Sequence, residues 1–246
     1  MTEEEKKAKE LKELMKMSEA HIDLDSAEET KKWIVDRMKT LNNIQEFVAR
    51  NFPSYKDIWY RSCDLISFTI AIYAHRNQKR LSNDTYANHS LDLRKMYTKL
   101  VGDDIDNKSK TDKWQQFKLP FYGVSEVALL HDVIEHTDVT LDDIRYIFHK
   151  FDCLALHLGF FEKPLLLITH NKKDSYETYI KAVSQSSTAS FVKMLDMQDN
   201  LNMFTLDKFG DEEVNKCITY IKCSKILNDQ YHFIEKINAY RKDERK

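Results

Sequence analysis

The stretch Ala128-Leu-Leu-His-Asp-Val-Ile-Glu135 sets a histidine and an aspartate side by side in an otherwise apolar run. Adjacent helical positions diverge by roughly 100°, yet an imidazole and a carboxylate are long enough to converge on one cation. Glu135 follows His131 by four residues and Asp132 by three, so on a helix it projects from the same face and can reach a water at that cation. Two more donors stand elsewhere in the chain: His89 in Tyr86-Ala-Asn-His-Ser90, and Asp196 in Val192-Lys-Met-Leu-Asp-Met-Gln-Asp-Asn-Leu201. Along the second segment Asp196, Asp199 and Asn200 fall at i, i+3 and i+4, while Phe191, Met194, Leu195 and Leu201 are apolar. Burying a carboxylate on so apolar a helix is costly unless it is paired or bound to a cation. Two imidazoles with two carboxylates suit Mn, Fe, Zn or Co better than Ca.

The elements that must carry these residues are expected to be helices. The chain has 246 residues with only 4 glycines and 3 prolines, and 32% of it is charged and mixed among apolar positions. That composition favours long helices over a turn-rich β architecture. Helices are expected at about 57–79, around His89, and at 124–136, 141–151, 162–170, 174–184, 187–205 and 211–241, with Thr140 as a cap and Pro164 in a first turn. Ser26 with Glu29 forms a capping box opening a further helix whose stripe is Trp33, Ile34, Met38, Leu41, Ile44 and Phe47. Residues 1–20 are mostly Glu and Lys and read as a peripheral helix, whereas 102–118 is polar enough for a loop that acts as a lid or partner contact. The division this implies is an N-terminal helical extension over 1–55, a catalytic bundle over 56–210, and a C-terminal helical segment over 211–246 packed on it.

Several function classes are set aside by composition. Lys plus Arg (38) nearly balance Asp plus Glu (40), so there is no overall basic field for nucleic acid, although a local basic pocket is allowed. Cys63, Cys153, Cys217 and Cys223 match neither a CxxC knuckle nor a disulfide framework and read as reduced thiols. The longest apolar run, Leu165-Leu-Leu-Ile168, is far too short to cross a bilayer, and no secretory leader is read at the N-terminus. A cytoplasmic protein with no membrane partner is expected, with oligomeric state left open.

The order His89, His131-Asp132, Asp196 resembles the H…HD…D signature of the HD phosphohydrolase superfamily. More narrowly, the chain is similar to the hydrolase domain of the RelA/SpoT family and its small stand-alone relatives, which remove the 3′-pyrophosphate of (p)ppGpp. The likeness is carried by Ala74-His-Arg-Asn-Gln-Lys-Arg80, Tyr86-Ala-Asn-His89, Leu129-Leu-His-Asp-Val-Ile-Glu-His-Thr-Asp-Val-Thr140, Ile168-Thr-His-Asn-Lys-Lys-Asp-Ser-Tyr-Glu-Thr-Tyr-Ile180 and Val192–Asn200. It implies an all-α HD-domain bundle in which His89, His131, Asp132 and Asp196 hold one divalent ion, Mn in most relatives. Glu135 would be the acid/base residue, Arg76 would flank the base, Lys79, Arg80 and Lys172 would meet phosphates, and Asn200 would touch the ribose or its phosphates. The chain departs from the pattern in having Glu135-His136 where the hydrolases have Glu-Asp, unless Asp138 fills that role, and in its longer stretch between His89 and His131. With about 40 residues after Asp207, no synthetase domain is expected. Two alternatives stay open: an HD-type 5′-nucleotidase acting on (deoxy)nucleoside monophosphates, and a non-catalytic nucleotide-binding regulator. The basic turn 76–80 also reads as a solvated helix end favoured by the dipole, and His75 as a helix-junction residue.

Overall fold

The computed structural model describes residues 63–79, 86–101, 108–150, 155–202 and 210–244. The expected N-terminal extension, the turn at 82–84, Cys153 and Arg80 lie outside them. Among the described residues the fold is all-α, with no β-strand.

The helix that organises the bundle is short: α4, Val124–Leu130, preceded in the chain by α1, Cys63–Ala74, α2, Ala87–Val101, and α3, Lys108–Gln116. Val124, Val127, Ala128, Leu129 and Leu130 are all buried, and only Ser125 and Glu126 in the first turn are polar, so most of the surface of α4 must be enclosed. Packed around it are α1, α2, α7 (Ala155–Ile168) and α9 (Ser187–Asn200). Its start is held by Gly123, whose φ of 74° suits glycine, and whose Cα lies against the Phe160 backbone.

The helix expected over 124–136 is interrupted. Its hydrogen-bonded pattern ends at Leu130 and resumes in α5, Val133–His136, so His131 and Asp132 sit on the break, although both keep right-handed helical angles. Beyond it, α6 (Leu141–Lys150) opens as expected: Asp143 accepts the Thr140 N–H at 2.8 Å, and Thr140 Oγ1 accepts the Asp143 N–H at 3.3 Å.

Three other expectations are corrected. Part of the polar stretch 102–118 is the helix α3, and Trp114 on it is fully buried, donating to Pro120 O at 2.9 Å, so this part is a structural element and no lid. Helix α7 starts at Ala155, which leaves Pro164 inside it and no first-turn residue. A proline there forfeits a hydrogen bond to the carbonyl four residues back; that carbonyl is Phe160's, the one Gly123 packs against. The single helix expected over 211–241 is α10, Asp211–Tyr231, and α11, Phe233–Glu244, divided at His232 with φ 56°. Asn228 Oδ1 accepts the Ile234 N–H at 2.9 Å across that break. The remaining helix is α8, Tyr176–Val183, capped by Ser175.

Helix α10 packs on α9, and α11 returns to α3, where the Tyr240 ring meets Trp114 edge-on at 5.2 Å. Cys63, Cys217 and Cys223 are free thiols. Among the described residues no helix is long and apolar enough to cross a membrane.

Candidate metal centre

Helices α2, α4 and α9 touch one another pairwise, and each brings a donor to their junction. His89 lies in the first turn of α2, His131 and Asp132 follow the last turn of α4, and Asp196 is in the third turn of α9. His89 Nε2 lies 3.0 Å from Asp196 Oδ1, 3.3 Å from His131 Nε2 and 3.7 Å from Asp132 Oδ2. His131 Nε2 lies 3.2 Å from Asp132 Oδ2 and 3.8 Å from Asp196 Oδ1. The two histidines are 3% and 2% exposed and Asp196 5%, so the cluster is cut off from bulk water on these sides.

Each donor is aimed by a second residue. His131 Nδ1 donates to the Ala128 carbonyl at 3.0 Å, and since a carbonyl only accepts, Nδ1 carries the hydrogen and Nε2 faces the cluster. His89 Nδ1 likewise donates to Asp199 Oδ2 at 2.7 Å. Tyr86 OH donates to Asp132 Oδ2 at 2.7 Å. Asp196 accepts from Lys193 Nζ at 2.7 Å on Oδ2 and from Asn200 Nδ2 at 2.6 Å on Oδ1.

The charges follow. Burial disfavours the His89 imidazolium, but hydrogen bonds to Asp196 and Asp199 overturn that and push its pKa up to about 9. Burial alone would raise Asp132 and Asp196; His131 beside the first and the Lys193 ammonium beside the second hold both well below the usual carboxylate range. Burial likewise works against the Lys193 ammonium, and Asp196 holds it well above the ordinary lysine value.

The donor set suits a divalent cation. His89 Nε2, His131 Nε2 and an Asp132 oxygen lie within 4.8 Å of one another, and an Asp196 oxygen stands next to that group, 3.0 Å from His89 Nε2 and 3.8 Å from His131 Nε2. Both imidazoles have Nδ1 committed as a donor, so their Nε2 atoms face each other at 3.3 Å, a contact that a proton or a metal between them relieves.

Of the other residues singled out in the sequence, Glu135 stands beside the cluster: Oε2 accepts the His170 backbone N–H at 2.9 Å, and Oε1 lies 3.8 Å from His136 Nε2. Arg76 and Lys79 lie exposed on the turn after α1, and Arg76 folds back with Nη1 on Tyr73 O at 2.6 Å and its guanidinium over the Tyr73 ring. Lys172 is exposed on the loop between α7 and α8. Asn200 is at the cluster, its amide engaged with Asp196. His75 is the buried junction residue expected, bonded to Gln78 at 2.8 Å and tilted against Tyr86. Sequence reasoning assigned no role to Lys193, although its i,i+3 relation to Asp196 was a readable signal, and it left Asp199 as part of a polar stripe without connecting it to His89.

No protein-family model matches this chain, and a search of curated proteins finds no match. Among solved structures, one described as a metazoan ortholog of SpoT that hydrolyses ppGpp is similar, at 19% identity over 74% of this chain and 96% of that one, with a TM-score of 0.47.

Proposed function

We propose that this protein is a metal-dependent phosphohydrolase of the HD type that removes the 3′-pyrophosphate of (p)ppGpp-like nucleotides, with one divalent ion, Mn by preference, held by His89, His131, Asp132 and Asp196. The observation that carries it is the convergence of those four side chains, brought by α2, α9 and the end of α4, with the two histidine Nε2 atoms 3.3 Å apart and each within 3.8 Å of both carboxylates. The substrate class rests on the sequence resemblance and on the cationic side chains Arg76, Lys79, Arg80 and Lys172, which suit a polyphosphate.

When bound, a divalent cation supplies Lewis acidity to the phosphoryl group and to the attacking water. Glu135 takes the proton of that water, and His170 N–H keeps its carboxylate turned to the task. The new P–O bond forms as the bond from phosphorus to the nucleotide 3′-oxygen breaks; the leaving oxygen takes the proton that Glu135 received, ending as a hydroxyl, and pyrophosphate departs. Arg76 flanks the base, Lys79, Arg80 and Lys172 offset phosphate charge, and Asn200 faces the ribose side. Asp199 and Ala128 O hold the imidazoles in the tautomer that points Nε2 inward.

The test is metal analysis of the purified full-length protein, followed by product assays on ppGpp, other pyrophosphorylated nucleotides and nucleoside monophosphates. Pyrophosphate is the expected product. Orthophosphate released from monophosphates would favour the nucleotidase reading, and tight nucleotide binding with no product under added Mn would favour a sensor. Asp132→Ala should lose turnover and bound metal together, whereas Glu135→Ala should keep an ion in the four-donor cluster and lose turnover. Wild-type rates in Asp132→Ala would refute the assignment.

A further inference from the structure

We propose that a second divalent cation binds beside the first, held by Asp132, Glu135 and His136, with the Asp132 carboxylate shared between the two. The inference builds on the reading of His89, His131, Asp132 and Asp196 as the first ion's ligands.

The Asp132 carboxylate has two separate environments. Oδ2 accepts from Tyr86 OH at 2.7 Å and faces His131 Nε2 at 3.2 Å and His89 Nε2 at 3.7 Å. Oδ1 faces the other way, with His136 Nε2 at 3.9 Å. His136 Nε2 is in turn 3.8 Å from Glu135 Oε1, and one donor atom from each of the three residues lies within 4.8 Å of the others.

Those separations are too long for hydrogen bonds, which span about 2.7 to 3.2 Å. The two separations from His136 Nε2, 3.9 and 3.8 Å, fit ligands of one ion: metal–nitrogen and metal–oxygen bonds of about 2.0 to 2.2 Å allow donors up to about 4.3 Å apart. One nitrogen and two carboxylate oxygens are again a set for Mn, Fe, Zn or Co.

The three side chains are also held for it. His170 N–H occupies Glu135 Oε2 at 2.9 Å, which leaves Oε1 for the His136 side. The one-turn helix α5 is tied down by His136 N–H donating to Asp132 O at 3.0 Å and by the Gln78 amide donating to His136 O at 2.8 Å. The His136 ring meets Tyr86 edge-on at 6.2 Å. Asp132 and Glu135 are 15% and 16% exposed while His136 is 38% exposed, so this second set lies on the open side of the first, where a phosphate oxygen can arrive.

The position where the resembled hydrolases carry an acidic residue is filled here by an imidazole, a side chain able to bind a metal through nitrogen. Two ions about 3.5 to 4 Å apart can clamp the attacking and the leaving oxygen of one phosphoryl group, which fits a phosphorylated substrate and leaves Glu135 at the boundary between them.

The full-length protein, stripped with a chelator, reloaded with Mn²⁺ and desalted, decides the matter by metal analysis and low-temperature electron paramagnetic resonance. The wild type should retain two Mn ions per chain with a spin-coupled spectrum, as expected of a close pair. His136→Ala should retain one, with an uncoupled six-line spectrum and the helical circular-dichroism spectrum of the wild type, since its ring is more than a third exposed. A single uncoupled Mn in the wild type, or two in His136→Ala, would overturn the proposal while leaving the first centre standing. Retention of no Mn by the wild type would instead overturn both. The coupling in the wild-type spectrum separates one ion from two even if the variant fails to fold.

Discussion

Replacing Lys193 with methionine removes the ammonium that sits 2.7 Å from Asp196 Oδ2 and keeps a side chain of similar length against the Tyr179 ring, over which Nζ lies at 5.3 Å. The lysine and aspartate side chains are 14% and 7% exposed, so bulk water screens the pair little. At 2.7 Å and an effective dielectric of about 20 the gross attraction is about 6 kcal/mol. The methionine no longer bears the desolvation of an ammonium, so the net loss is smaller, and removing one partner of a buried pair costs about 3 to 5 kcal/mol. His89 Nε2 at 3.0 Å and Asn200 Nδ2 at 2.6 Å still serve the carboxylate, which puts the expectation at the lower end. For a domain of this size about 3 kcal/mol lowers the melting temperature by roughly 6 to 12 °C. The measurement is thermal unfolding by circular dichroism of chelator-stripped wild type and variant. A second scan with Mn²⁺ at saturating concentration should shrink the difference by about half or more, because a cation on Oδ1 takes over the compensation and gains affinity from the lost positive charge. In an Asp196→Asn background the same replacement should cost less than about 1 kcal/mol. A stripped variant melting within about 2 °C of wild type, or a difference that Mn leaves unchanged, would refute the argument that this carboxylate depends on Lys193.

Asp199→Ala takes the acceptor from His89 Nδ1 and should weaken Mn binding about 10- to 100-fold by calorimetric titration with the fold retained; an unaltered affinity would mean His89 needs no orienting partner. Gly123→Ala forces a Cβ to within 2.7 Å of Phe160 O at φ 74°, so it should cost about 2 to 3 kcal/mol in denaturant unfolding, from left-handed strain plus the clash. Stability equal to wild type would contradict the close approach of α4 to α7.

Helix existence and class were legible because low glycine and proline content and 3.6-residue periodicity are local properties. What escaped depended on contacts far along the chain. The sequence around 108–116, Lys-Ser-Lys-Thr-Asp-Lys-Trp-Gln-Gln, has almost nothing apolar to declare a helix. Its single large apolar residue, Trp114, is enclosed by Tyr97, Phe191 and Tyr240, which come from three other helices. Tertiary burial of that ring overrides a weak local preference. Pro164 misled in the opposite direction: a rule for helix starts was applied to a residue whose helix extends nine positions upstream, and the burial of Phe161 and Leu165 outweighs the lost hydrogen bond.

At the site, the types and order of the four donors were readable, while the residues that aim them were only partly so. Asp199, Asn200 and Lys193 lie on the same helix as Asp196, but two of them serve that aspartate and the third reaches across to His89 on α2. Helical spacing predicts which side chains share a stripe; it does not predict which partner each takes when another helix packs against that stripe. The same limit explains His136. As a letter in the sequence it is a departure from a Glu-Asp pair, but at the end of α5 its ring turns towards the oxygen of Asp132 opposite the one that meets His89 and His131. One carboxylate at the His131-Asp132 interruption thus faces two clusters, because its two oxygens diverge and different residues, His89 and His131 for one and His136 for the other, supply the neighbours of each.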